Sequence, residues 1–183
     1  IRAAVNRVMA ENGLPLLEGG ALFASYLGHG NRTLLDKAFG HVLTDEEYSR
    51  IGPSFLAAYS SDPVRLSRPY EGISNLLSNL VSEGKKIAVI SNKRDELTRP
   101  IVEHFFGDIP FTFVMGQREE FPLKPDPSSA LYVASLMGLK PEDVAFVGDS
   151  FQDALTANNA GMIACSVLWG YQHVDEISSK ASP

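Results

Sequence analysis

Apolar positions in the first third of the chain recur only at helical spacing. Ile1, Val5, Val8 and Met9 fall on one helix face, and Gly13 can close that helix in a left-handed turn. Asn31 is placed to cap a helix over 32–39, which Gly40 stops. Thr44 and Glu47 have capping-box spacing, and Asp45, Glu46 and Glu47 suit the positive end of the helix that follows. Pro53 is expected to break or kink that segment before Tyr59. The polar, proline-containing stretch 60–69 reads as a linker.

From Tyr70 the pattern changes. Ile73, Leu76, Leu77, Leu80 and Val81 form the stripe of one amphipathic helix, ended by Gly84. Short, unalternating, β-branched runs then recur at 87–90, 111–115, 144–147 and 163–168. Helical segments separate them at about 95–106, 128–137 and 151–160. Strands apolar on both faces, alternating with helices, predict a parallel sheet covered on both sides. The expected class is α/β: a helical module over 1–68, then an α/β half over 69–183 with only four strands.

Composition narrows the options. A chain of 183 residues can bury one full core. The single cysteine, Cys165, forbids an internal disulfide and points to a reducing, cytoplasmic setting. The formal charge is −6 with no basic stripe, so nucleic acid is not an expected partner. Apolar runs fall far short of the ~20 residues a membrane span needs.

In an open parallel sheet, ligands bind outside the carboxyl ends of the strands. The residues there carry chemistry: Ser91-Asn92-Lys93 after the first run, Lys124-Pro125-Asp126-Pro127 beyond the second, and Gly148-Asp149-Ser150 with Asp153 after the third. A hydroxyl, backbone N–H groups and a lysine suit phosphate oxygens. Carboxylates suit Mg2+. Each piece alone has a plainer explanation. Ser91-Asn92 could cap the next helix, Lys124 could be a solvated loop lysine, and Ser150 could be an N-cap with Asp153 answering the helix dipole. His29 and Arg32 could be an exposed loop pair. It is the three pieces in order, all at strand ends, that are specific.

On these residues, the stretch from Arg68 to Gln172 resembles the haloacid-dehalogenase-like hydrolases, closest to their phosphoglycolate-phosphatase branch. Ala160-Gly161-Met162, Arg68-Pro69-Tyr70-Glu71-Gly72 and Trp169-Gly170-Tyr171 are also family-like. The resemblance implies a Rossmann-like parallel core with an inserted helical cap over 1–68. It implies that Ser91 hydrogen-bonds a phosphoryl oxygen and that Asn92 helps shape that pocket. Lys124 would neutralise the phosphate and a nearby carboxylate. Asp149 would bind Mg2+, while Asp153 would hold a metal-bound water or orient Lys124. Lys93, and His29 with Arg32 from the cap, would contact the substrate.

One departure stands out. The family's first motif, Asp-x-Asp on the central strand, supplies nucleophile and acid/base, and these 183 residues contain no such motif. Without that strand, two rows of backbone groups would be left unpaired in the core. Each unsatisfied buried group costs about 1–3 kcal/mol, and several exceed a net stability of about 5–15 kcal/mol. The expectation is that the native product has an N-terminal extension, with Ile1 just beyond the lost strand, and that 87–90 and 144–147 do not pair directly. The leading function is a Mg2+-dependent phosphatase of a small phosphorylated metabolite, working through an aspartyl-phosphate as monomer or homodimer. A phosphomutase would share every residue named. A receiver-like signalling module fits poorly with the helical lead, and a catalytically inactive phospho-ligand-binding module is the remaining alternative.

Overall fold

The computed structural model describes all residues except 21, 22, 24, 182 and 183. The chain divides into two compact units, Ile1–Ser67 and Arg68–Pro183.

The first unit is helical: α1 (Arg2–Glu11), α2 (Gly30–Phe39) and α3 (Asp45–Ser60). Val5, Val8, Met9, Leu34, Leu35, Ile51 and Phe55 are buried in it. The Thr44 capping box forms as the spacing predicts: the Glu47 N–H donates to Thr44 Oγ1 at 3.2 Å and the Thr44 N–H donates to Glu47 Oε2 at 2.8 Å. Helix α2 begins at Gly30 with His29 as its N-cap, earlier than the expected Asn31 cap. Pro53 does not break α3, which continues as one element to Ser60. The stripe of Ile51, Phe55 and Tyr59 runs across the proline and is almost wholly buried, so packing outweighs the lost backbone donor.

The second unit holds α4 (Ile73–Ser82), β1 (Ala88–Arg94), α5 (Asp95–Phe106), β2 (Phe113–Gln117), α6 (Ser128–Leu136), a 3-10 turn (Pro141–Asp143), β3 (Ala145–Gly148), α7 (Phe151–Ala160), β4 (Ile163–Ser166) and α8 (Val174–Ala181). Two parallel ladders form. Ala88, Val89 and Ile90 of β1 oppose Phe113, Val114 and Met115 of β2. Ala145 to Gly148 of β3 oppose Ile163 to Ser166 of β4. The two ladders are separate sheets, and β1 is not hydrogen-bonded to β3. Both nevertheless pack on one layer: Ile90 and Phe146 meet the same cluster of Ala130, Ala134, Ala157, Ala160 and Met162, drawn mainly from α6 and α7.

Two expectations are corrected. Strand β1 does not stop at Ile90 but runs to Arg94 through a register shift, so Ser91-Asn92-Lys93 belongs to the irregular end of the strand. The sheet is not covered on both sides: Val147 is 60% and Ile163 58% exposed, and all of β4 is exposed. The helix that could supply a second layer, α4, has an apolar stripe but no buried residue. Helix α8 was not expected at all. Its signals were Asp175 and Glu176 in the first turn and the Glu176–Lys180 pair, 2.8 Å apart, on the last.

Candidate active site

Lys124 is the hub of the core's polar end. Its backbone is clamped by one side chain: the Lys124 N–H donates to Asn92 Oδ1 at 2.8 Å, and Asn92 Nδ2 donates to the Lys124 carbonyl at 3.1 Å. The side chain then turns inward. Nζ donates to Asp153 Oδ1 at 2.5 Å and to the Ile90 carbonyl at 3.4 Å, and lies 5.6 Å from the centre of the Phe146 ring. The ion pair is nearly dry, with side-chain exposures of 13% for Lys124 and 10% for Asp153. The ammonium is thus held by β1, β3 and α7 together.

Asp153 is occupied on both oxygens. Besides Lys124, its Oδ2 accepts from the Ser150 N–H at 3.1 Å and from Ser150 Oγ at 2.5 Å, closing a capping box on α7. Gly148 makes room for this. A Cβ there would overlap the Asp153 carboxylate carbon, so β3 must end in glycine for α7 to start where it does. These contacts set Asp153 against the Lys124 ammonium, as one of its two expected roles, the orienting of Lys124, requires.

Asp149 differs. Its Oδ2 accepts from the Tyr171 N–H at 2.9 Å, and among the described residues Oδ1 takes no hydrogen bond. Ser91 Oγ accepts from the Lys93 N–H at 3.1 Å, which leaves the hydroxyl proton to donate elsewhere. Ser91 and Asn92 also line a small recess with Gly116, Arg118, Phe121 and Ser129. Beside it, Asp95 latches β2 to α5: its Oδ1 accepts from the Gly116 N–H at 2.7 Å, and its Oδ2 from Arg99 at 2.8 Å and Arg118 at 3.3 Å. Burial pushes the Asp95 carboxyl up, but the Arg99 and Gly116 hydrogen bonds with the Arg118 and Arg99 charges hold it below its ordinary value.

The structure therefore brings Ser91, Asn92, Lys93, Lys124, Asp149 and Asp153 to one end of the core. The cap candidates lie in the other unit and have local duties. His29 caps α2. Arg32 donates to Asp45 Oδ1 at 2.9 Å and to the Leu43 carbonyl at 2.6 Å, with its guanidinium 4.8 Å from the centre of the Tyr48 ring. Its fork ties the starts of α2 and α3 together rather than standing ready for a ligand.

The family model described as haloacid dehalogenase-like hydrolase matches residues 1–167. The chain belongs to that family. Among its relatives, a phosphoglycolate phosphatase from Mannheimia succiniciproducens is 30% identical, over 93% of this chain and 79% of that protein. A phosphoglycolate phosphatase from Aquifex aeolicus is 35% identical, over 80% of this chain and 67% of that protein. The crystal structure of a predicted phosphoglycolate phosphatase from Haemophilus somnus superposes with a TM-score of 0.86 at 26% identity, covering all of this chain and 83% of that one. This hydrolase therefore sits with the phosphoglycolate-phosphatase-like branch.

For a haloacid dehalogenase-like hydrolase, the donor set is compatible with Mg2+ but sparse. Among the described residues no three acidic, histidine or cysteine side chains converge. Mg2+ commonly uses only one or two protein carboxylates, with waters and substrate phosphate completing its shell. Asp149, with one oxygen unengaged, fits such a ligand.

The hydrolase also has a titratable cation next to Ser91. Lys93 is half-buried, and burial pushes its ammonium down from the usual lysine range to about 8. If Lys93 helps to hold an anionic substrate, KM should rise as pH increases through about 8, because the lysine loses its charge. Lys93→Arg, which stays protonated, should flatten that rise. Stability runs the opposite way: the unfolded lysine holds its proton longer, so folding is relieved of the buried charge as pH climbs from about 8 towards about 10.4. A KM profile between pH 7 and 9.5 for both proteins checks the sign.

Proposed function

We propose that this hydrolase is a Mg2+-dependent phosphatase that cleaves a small phosphate monoester of the phosphoglycolate kind. The observation that carries the reading is the nearly dry Lys124–Asp153 pair, fixed at the same end of the core as the Ser91 hydroxyl and the half-engaged carboxylate of Asp149. A cation, a hydroxyl donor and a hard oxygen ligand are what a phosphoryl group requires of its site.

Each residue has a task. Lys124 would neutralise one phosphoryl oxygen, and Ser91 Oγ–H would donate to another. Asn92 holds the Lys124 backbone so that the ammonium is placed before substrate arrives. Asp149 would hold Mg2+, whose contribution when bound is to neutralise charge on the phosphoryl oxygens. The nucleophile is proposed to be an aspartate outside these 183 residues, on a strand between β1 and β3. The absence of hydrogen bonds between β1 and β3, although both pack on one helical layer, supports that placement. A carboxylate oxygen would attack phosphorus as the ester P–O bond breaks, and the departing alkoxide would take its proton from the second aspartate of the Asp-x-Asp motif, which regains one from the attacking water in the next step. Water would then cleave the aspartyl-phosphate, releasing inorganic phosphate and restoring the carboxylate.

The test is a phosphate-release screen of the full-length protein over short phosphorylated acids and sugars, with Mg2+ and with EDTA. The expected result is Mg2+-dependent release, strongest for a small ester, and none from the 183-residue chain alone. Binding of phosphorylated ligands with no release from the full-length protein would favour the inactive binding module instead.

A further inference from the structure

The loop after β4 reaches back to the start of α7. The Tyr171 N–H donates to Asp149 Oδ2 at 2.9 Å, and one residue later Gln172 Oε1 accepts from the Phe151 N–H at 2.8 Å. Gly170 makes the approach possible: a Cβ there would overlap Asp149 Cβ and Oδ2. Before it, the Trp169 ring leans on Tyr70, with centroids 4.5 Å apart. Successive residues of one loop thus grip residues 149–151.

A backbone N–H on one carboxylate oxygen sets the plane and the rotamer of the other. We infer that Gly170, Tyr171 and Gln172 are positioning residues for Asp149, fixing its carboxylate so that Oδ1 is presented to a divalent cation. The inference rests on the proposed role of Asp149 as that cation's ligand. Partners that orient a metal ligand from behind are worth about 10–100-fold in metal affinity. Gly170 contributes by having no side chain, Tyr171 by its amide, and Gln172 by pinning the loop to the Phe151 N–H. The Trp169–Tyr70 contact anchors the near end of the loop.

Mn2+ can stand in for Mg2+ and be counted by electron paramagnetic resonance. Titrations of the full-length protein would compare wild type, Asp149→Asn, Gly170→Ala, Gln172→Ala and Gln172→Glu, each with a thermal melt. Gly170→Ala should weaken Mn2+ binding by about 10–100-fold. Gln172→Ala should weaken it less, and Gln172→Glu, which keeps an acceptor for the Phe151 N–H, should recover most of that loss. If Gly170→Ala does not fold, the two Gln172 variants decide. Wild-type Mn2+ affinity in Gly170→Ala and Gln172→Ala, or a lowered melting temperature with unchanged affinity, would overturn the inference while Asp149→Asn still loses binding. Undiminished binding in Asp149→Asn would instead overturn the metal role proposed for that residue.

Discussion

Replacing Lys124 with alanine should damage activity and stability together. Loss of a preorganised group facing transition-state charge costs about 10²–10³-fold in kcat. The stability loss has a separate origin. Asp153 is left charged and nearly dry, with only Ser150 to satisfy it. Breaking one side of a buried pair costs about 3–5 kcal/mol, and the retained Ser150 contacts place the expectation at the low end. The two effects can be separated. A Lys124→Met, Asp153→Asn double variant has no stranded charge, so it should regain most of the stability in urea unfolding while staying inactive. A single variant with near wild-type kcat would remove Lys124 from the chemistry.

Asp149→Ala should show the opposite signature. Its folded-state engagement is a single hydrogen bond from the Tyr171 N–H, worth about 0.5–1.5 kcal/mol. The urea midpoint should therefore shift little. Turnover should fall by at least about 10²-fold, on the scale of a lost electrostatic group, and residual activity should no longer respond to Mg2+. Unfolding curves and rates against Mg2+ concentration check both halves. Retained Mg2+ activation would place the cation elsewhere.

Much of the framework was legible because local signals and packing agree. Helices α5 and α7 begin and end where the residues indicate, with Ser150 capping α7 and Gly161 closing it in a left-handed turn. The strand runs were recognisable as unalternating apolar stretches, and β1 and β3 do not pair with each other, as expected. The failures have physical causes. Pro53 was expected to break or kink α3, and the helix does not break there because the Ile51–Phe55–Tyr59 stripe is buried across it. Covering on both faces was inferred from the unalternating apolar strands, and that pattern does not say whether a second layer reaches β3 and β4.

At the site, residue types and the Lys124–Asp153 relation were legible, and the backbone contacts were not. Ser91, Lys124 and Asp149 stood out because their three motifs follow successive strands in order. That Asn92 clamps the Lys124 backbone from both sides depends on a rotamer that no spacing specifies. Arg32 was expected from the resemblance to contact the substrate, and its engagement with Asp45 and the Leu43 carbonyl was not foreseen. The Tyr171 amide escaped notice altogether, since a backbone donor leaves no mark in the sequence beyond the glycine that lets it approach.

The resting Lys124–Asp153 pair bears on how the protein lets go. Its formal charge is zero, so free orthophosphate meets a neutral couple, not a bare ammonium. Capturing the lysine means drawing it partly away from Asp153, a penalty every anion meets. Ester and product feel that penalty alike, and binding that is equal for both does nothing for turnover. A counter-ion built into the protein thus loosens the hold on ester and orthophosphate alike, and leaves the choice between them to the groups around it.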